Sequence, residues 1–341
     1  MNENPCLPVL DLSPFRSDPT SPAAAGFLKE LRDAAHGPGF AYIAGHGVDP
    51  RLQLKMIVAT HDFFALPERQ RREIENVKSA QFRGYTPVSS ERTNGKPDRR
   101  EQLDFGIERP SYDPEPGEPA YLRLLGPNQW PGSLPGFRAV VLRYMSVMQD
   151  LSLTMIRALA ASLGAPADLF DATFAAEPAP HMKMIRYPAP GPDGNDQGVG
   201  AHKDYGFLAL LLQDRTGGLQ VATEDGFVDV PAIPNTFVFN VGEMFEIASG
   251  GYYRATVHRV VSPPELSSRV SVPYFFAPRL DARVPTIDLP PELAADVRPD
   301  FAPNPDNVIH AEYGENALRG WLRSHPDVAR KHWSDLVSDH A

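Results

Sequence analysis

From Pro135 to Leu163, apolar residues return at every third or fourth position. Phe137, Val141, Tyr144, Met148, Leu151, Met155, Leu159 and Leu163 fall on one face, and Gly164 follows as a stop. That period predicts an amphipathic helix, with its methionines read as core packing against a sheet. Upstream, Leu7-Pro-Val-Leu-Asp-Leu12 reads as a short strand. Ser21-Pro22 opens a helix through Phe27, Leu28 and Leu31, with a capping serine and proline at the first helical position. Phe40-Ala-Tyr-Ile-Ala44 is a second strand, and Asp49-Pro50 caps a helix carrying Leu52, Ile57 and Phe63. Residues 76–133 have weak periodicity and many turn formers, such as Asn94-Gly95 and Gly126-Pro127. They are expected to form loops over one mouth of the core.

Beyond Pro180 the pattern changes to short apolar runs separated by turn signals, as in a sandwich or barrel. The predicted strands are 181–187, 199–203, 207–213, 218–222, 227–230, 236–241, 255–261, 270–277 and 283–287. Residues 207–213 are almost wholly apolar, as in a strand covered on both faces. The tail, 311–335, returns to helical spacing. Helices around an antiparallel β-core without an obvious linker predict one α+β domain over 1–341. Its parts are a mixed region at 1–133, a bracing helix region at 134–175, a β-rich core at 176–290 and a helical tail at 291–341.

Bulk properties narrow the function. Hydrophobic residues form 42% of the 341-residue chain, enough for a large core. The formal charge of −10 argues against a nucleic-acid partner, whose phosphates are met by clustered Lys and Arg. The single cysteine, Cys6, excludes a disulfide framework or a thiolate metal site and fits a reducing compartment. The N-terminus lacks the features of a signal peptide, and no run approaches the ~20 apolar residues of a membrane span. A cytoplasmic protein with no membrane partner is the expectation. The sequence carries no signal of oligomeric state.

The chemistry concentrates between His202 and Ser271. His202 and Asp204 are two residues apart, so on a strand they share a face, with Lys203 pointing away. His258 stands in a second β-like run. Two imidazoles and one carboxylate are the ligands of a facial triad that leaves open positions on iron. A lone His-x-Asp among ten histidines is a weak signal. Arg269, two residues before Ser271, adds a fixed charge suited to bidentate recognition of a carboxylate.

These residues stand in longer runs: His202-Lys-Asp204-Tyr-Gly-Phe-Leu, Gly217-Gly-Leu-Gln-Val221, Asn240-Val-Gly-Glu-Met244, Thr256-Val-His258-Arg-Val260 and Arg269-Val-Ser271-Val-Pro-Tyr-Phe-Phe276. With Gly39-Phe-Ala-Tyr42, Gly45-His-Gly47, Gly126-Pro-Asn-Gln-Trp-Pro131 and Arg186-Tyr187-Pro188, the chain resembles the isopenicillin N synthase-like family of iron(II)/2-oxoglutarate-dependent dioxygenases over most of its length. The resemblance implies a double-stranded β-helix (jelly-roll) core flanked by helices, with Fe(II) on His202, Asp204 and His258. It implies 2-oxoglutarate with its far carboxylate on Arg269 and Ser271, and Tyr187 as a further donor. It implies that O2 and 2-oxoglutarate are consumed, that succinate and CO2 form, and that a small molecule is hydroxylated or desaturated.

Departures from the family pattern keep other readings open. Glu243 stands where aspartate is common, and Ile185 where the plant branch often has Asn. Isopenicillin N synthase and the aminocyclopropane carboxylate oxidases share an Arg-x-Ser pair without using 2-oxoglutarate, so an oxidase of that type is an alternative. A non-catalytic metal-binding jelly roll is another. For the substrate, Arg83, Tyr85 and Arg92 are candidates from the loops, and Met182, Met184, Phe207 and Phe275 from the strands. Taken singly, each reads as structural before it reads as substrate-binding.

Overall fold

The apolar run at 207–213 becomes a central strand, Leu208–Gln213, hydrogen-bonded on both sides within an eight-stranded sheet. The computed structural model describes residues 7–174, 176–191, 194–263, 267–298, 301 and 309–337. Cys6 and the end of the tail lie outside them.

In chain order the strands are β1 Val9–Asp11, β2 Phe40–Ala44, β3 Gly84–Thr86, β4 Arg92–Thr93, β5 Lys96–Pro97, β6 Glu101–Phe105, β7 His181–Pro188, β8 Gln197–His202, β9 Leu208–Gln213, β10 Leu219–Thr223, β11 Gly226–Asp229, β12 Phe237–Val241, β13 His258–Val261 and β14 Ser268–Phe276. The larger sheet has the order β1-β2-β12-β9-β14-β7-β6-β3, and the smaller one β11-β10-β13-β8. β4 and β5 form a separate hairpin whose first strand lies against β8. Two largely antiparallel sheets sharing one interior, with helices outside, are the jelly-roll core flanked by helices.

The two faces of the larger sheet divide the core. On the outer face, the 26-residue helix Phe137–Ser162 packs against β9, β14 and the helices Pro22–His36 and Pro50–Ala65. Met182 and Met184 of β7 point into this layer, with Phe207, Phe63 and Phe137. On the inner face a smaller apolar cluster joins the sheets, through Phe40, Ile185, Tyr187 and Val238 on one side and Val199, Leu219 and Val260 on the other. Each such buried side chain stabilises the sandwich by roughly 1.5–3 kcal/mol.

Two expectations need correction. Residues 76–133 do not only cover a mouth: β3 and β6 extend the larger sheet, and β6 is buried along its whole length. Its charges hid it. Glu101 survives burial because Arg71 reaches it at 2.7 Å and Arg186 also contacts it, and these partners come from distant segments. The predicted strand at 283–287 is absent: only an isolated bridge joins Arg283 to Glu312. Pro285 lacks the donor a ladder needs, while Ile287 spends its N–H on Ala248. Residues 311–335 form the helices Tyr313–Ser324 and Pro326–His332.

Candidate active site

The smaller sheet brings the histidines together. β8 ends at His202, β13 begins at His258, and the antiparallel register places these residues opposite each other. Their ring centroids are 4.4 Å apart. Asp204 is not on the strand with His202. The ladder stops at His202, and the residues after it turn Asp204 back toward the histidines. Lys203 also lies beyond the strand, so alternation does not apply to it, and its Nζ lies 3.6 Å from Glu246.

One carboxylate oxygen, Asp204 Oδ1, lies 3.7 Å from His202 Nε2 and 3.8 Å from His258 Nε2. His202 Nδ1 donates to the Gly200 carbonyl at 2.8 Å, and His258 Nδ1 to that of Thr256 at 3.1 Å. A carbonyl only accepts, so each Nδ1 carries a proton, and in the neutral imidazole this leaves the lone pair on Nε2. Burial, and then repulsion from His258, push the His202 imidazole down to about 4, so it is neutral at physiological pH. The three ligand atoms lie within 4.8 Å of one another. Unprotonated nitrogens converging on a carboxylate fit a divalent metal, and the carbonyls behind the rings fix their orientation.

The Asn240-Val-Gly-Glu run holds Asp204 from behind. Asn240 Nδ2 donates to Asp204 Oδ2 at 2.7 Å, and the Glu243 N–H donates to the Asp204 carbonyl at 2.8 Å. Gly242 permits this approach, since a Cβ there would stand 2.2 Å from the Gly206 carbonyl oxygen. Residue 243 makes this contact with its backbone N–H, which glutamate and aspartate supply alike.

Arg269 comes from the larger sheet and is 0% exposed. Its Nη1 donates to Ser271 Oγ at 3.2 Å and its Nη2 to Gln213 Oε1 at 3.1 Å, while Nε has no partner. The Tyr187 ring centroid lies 4.9 Å from the guanidinium carbon. Among the described residues, no acidic side chain pairs with this buried cation. Such a charge calls for an anion from outside the chain.

Arg269, Ser271, Tyr187, the two histidines and Asp204 line one cavity between the sheets, with about 540 Å³ of empty space that includes some open to solvent. Phe275 lines it too. Met184 and Phe207 do not: both are buried on the outer face of the larger sheet. Tyr85 also faces outward, donating to Glu101 at 2.5 Å beside Phe63. Arg92 lies exposed in the β4–β5 hairpin, donating to Gly95. Arg83 lies in a different cavity. Sequence reasoning gave no site role to Gln213, Asn240 or Arg100, all of which are near the site. A lone polar residue closing the apolar run 207–213 was the available signal for Gln213.

Known proteins decide the family. Residues 7–133 match the model described as the N-terminal part of non-haem dioxygenase in morphine synthesis, and residues 179–278 match the 2OG-Fe(II) oxygenase superfamily. A 2-oxoglutarate-dependent dioxygenase, frbJ, of Dothideomycetidae sp. (strain 11243) is 36% identical over 95% of this chain and 91% of its own. The chain belongs to the 2OG-Fe(II) oxygenase superfamily. Homoarginine-6-hydroxylase 2-ODD-233 of Oryza sativa subsp. japonica is 34% identical over 83% of this chain and 88% of its own. A full-length Neurospora crassa protein, crystallised in complex with alpha-KG and 5-formyluracil, superposes with a TM-score of 0.74 at 25% identity, covering 95% of this chain and 98% of that one. This 2OG-Fe(II) oxygenase is thus an oxidoreductase of hydroxylase type, with Fe(II), 2-oxoglutarate and O2 as its cofactors.

Proposed function

We propose that His202, Asp204 and His258 hold the iron and that Arg269 and Ser271 receive the far carboxylate of 2-oxoglutarate. In this reading the enzyme hydroxylates or desaturates a small molecule entering the same cavity. The observation that carries it is one cavity with a three-ligand cluster and, in its wall, a buried arginine that lacks a protein carboxylate. Homoarginine hydroxylases among the relatives, and 5-formyluracil beside alpha-KG in the Neurospora crassa structure, support a substrate of that size.

Iron held there, with 2-oxoglutarate and O2, supplies the oxidant that breaks a substrate C–H bond, while 2-oxoglutarate leaves as succinate and CO2. The protein's residues position and shield. The Nδ1 hydrogen bonds fix both imidazoles in the ligating tautomer. Asn240 occupies Asp204 Oδ2 and leaves Oδ1 facing the histidines. Arg269 neutralises a carboxylate where the apolar side chains of Leu211, Leu219 and Val260 exclude water and strengthen the pairing. Tyr187 stacks on the guanidinium and limits its motion.

Anaerobic titration of the Fe(II)-loaded protein with 2-oxoglutarate tests the assignment. A visible charge-transfer band is expected, absent in His202→Ala and shifted to much higher 2-oxoglutarate concentration in Arg269→Ala. An unchanged titration in both variants would sink it.

A further inference from the structure

A second cavity has about 490 Å³ of empty space, partly open to solvent. Arg83, His181, Tyr205, Tyr313 and Trp321 are in its wall. Two contacts join it to the reaction centre. Tyr205 directly follows Asp204, and His181 stacks at 5.6 Å on Phe275, which lines the metal cavity.

Arg83 is the unusual group. It is 9% exposed, and its Nε and Nη1 are buried without a hydrogen-bond partner among the described residues. The nearest influence on its charge from an acid is Asp104, which is already engaged by His181 Nε2 at 2.8 Å, Lys183 at 3.1 Å and Gln102 at 2.9 Å. Glu91 is likewise taken, by Arg100 at 2.6 Å and Lys183 at 3.8 Å. The guanidinium lies over the Trp321 ring at 5.7 Å and against Gly106, where any Cβ would collide with it. Burial lowers its pKa to about 10, which leaves it charged at neutral pH. A buried, charged guanidinium with unmet donors carries a desolvation cost, and an anion that completes it would offset that cost.

We infer that this cavity is the substrate subsite and that Arg83 receives an anionic group, carboxylate or phosphate, of a substrate whose other end reaches the metal. The inference rests on the iron and 2-oxoglutarate assignment above. The aromatic walls, Trp321 and the stacked pair Tyr205–Tyr313 at 6.4 Å, would hold an apolar or aromatic body between the two ends. Because Tyr313 and Trp321 lie on the helix Tyr313–Ser324, the C-terminal region forms part of the substrate pocket.

The test uses anaerobic enzyme loaded with Fe(II) and saturated with 2-oxoglutarate, so that Arg269 is already occupied. Phenylacetate, phenyl phosphate and the neutral phenylacetamide are titrated by calorimetry, and the charge-transfer band is followed in parallel. At least one anion is expected to bind about tenfold or more tighter than the amide, since a site built for a polar partner rejects the analogue lacking it. Which anion wins identifies the group. Arg83→Gln should reduce that anion to the level of the amide, and Arg83→Lys should restore part of the difference, both with an unchanged 2-oxoglutarate titration. If Arg83→Gln does not fold, Ile107→Trp, which fills the cavity from a half-buried wall position, should abolish anion binding and keep the band. An intact band with equal binding of anion and amide, no binding of any probe, or full anion affinity in Arg83→Gln or Ile107→Trp overturns the inference alone. A missing band in the wild-type protein overturns the cofactor assignment and this inference with it.

Discussion

Asn240 and Asp204 are joined by a 2.7 Å hydrogen bond to the carboxylate oxygen that faces away from the histidines. The other oxygen is thereby aimed between the two Nε2 atoms. An outer partner of this kind is worth about 10–100-fold in metal affinity. Asn240→Ala is expected to weaken Fe(II) or Mn(II) binding by that factor, measured by metal titration, while the fold is kept. Gly242→Ala should do the same through the backbone, because its Cβ would drive away the 204–206 segment.

Arg269 is fully buried and its hydrogen-bond acceptors among the described residues are neutral, Ser271 and Gln213. Removing one side of a buried charge pair costs about 2–5 kcal/mol. Arg269→Ala should therefore raise the apparent dissociation constant for 2-oxoglutarate about 30-fold or more. Arg269→Lys should recover little, since an ammonium cannot offer the planar fork. Equal 2-oxoglutarate affinity in all three proteins would show that the cosubstrate sits elsewhere.

Glu91 links pH to stability. Burial raises its pKa, but Arg100, Lys183 and His325 outweigh that and hold the carboxyl at about 2. An unfolded glutamate titrates near ~4.3. The folded value is the lower one, so the ionised carboxylate contributes fully above about pH 5 and loses its contribution as pH falls toward 2. Glu91→Gln is expected to be less stable at pH 7 by about 3–5 kcal/mol, because it takes from Arg100 the buried carboxylate at 2.6 Å and leaves it only Asp98 at 3.7 Å. The gap between the two proteins in urea unfolding should narrow as pH drops from about 5 to 3. A constant gap would contradict the assignment.

Phe82 fastens the C-terminal helices. Its ring lies between Trp321 and Trp333, at 5.5 and 5.7 Å, and Trp333 donates to the Ala80 carbonyl. Phe82→Ala should cost about 3–5 kcal/mol in chemical unfolding. If the helix Tyr313–Ser324 forms part of the substrate pocket, the same variant should weaken substrate-analogue binding more than 2-oxoglutarate binding.

What could be read without the structure was whatever local periodicity encodes. The helix at 137–162 and the apolar strand at 208–213 follow from spacing alone, and β13 opens at the histidine expected to lie in a strand. β6 was illegible because Glu101 and Asp104 look like surface charges, and only Arg71, Arg186, Lys183 and His181 from other segments make their burial tolerable. Met184, a candidate for the cavity wall, alternates onto the outer face of its strand, while Arg83, a loop candidate for the substrate, is enclosed.

The chemistry was written in residue type and order: two histidines, an aspartate, and an arginine with a serine two residues on, in runs that resemble one family. Those are properties of the chain alone, and they suffice to name a reaction class. How the groups meet came only with the folded molecule. Asp204 reaches the histidines by leaving its strand, Asn240 and Gln213 arrive from neighbouring strands, and Arg83 is buried with unmet donors in the wall of a second cavity. The physical reason is that hydrogen-bond partners and burial are set by contacts between segments far apart in the chain, which no local pattern records.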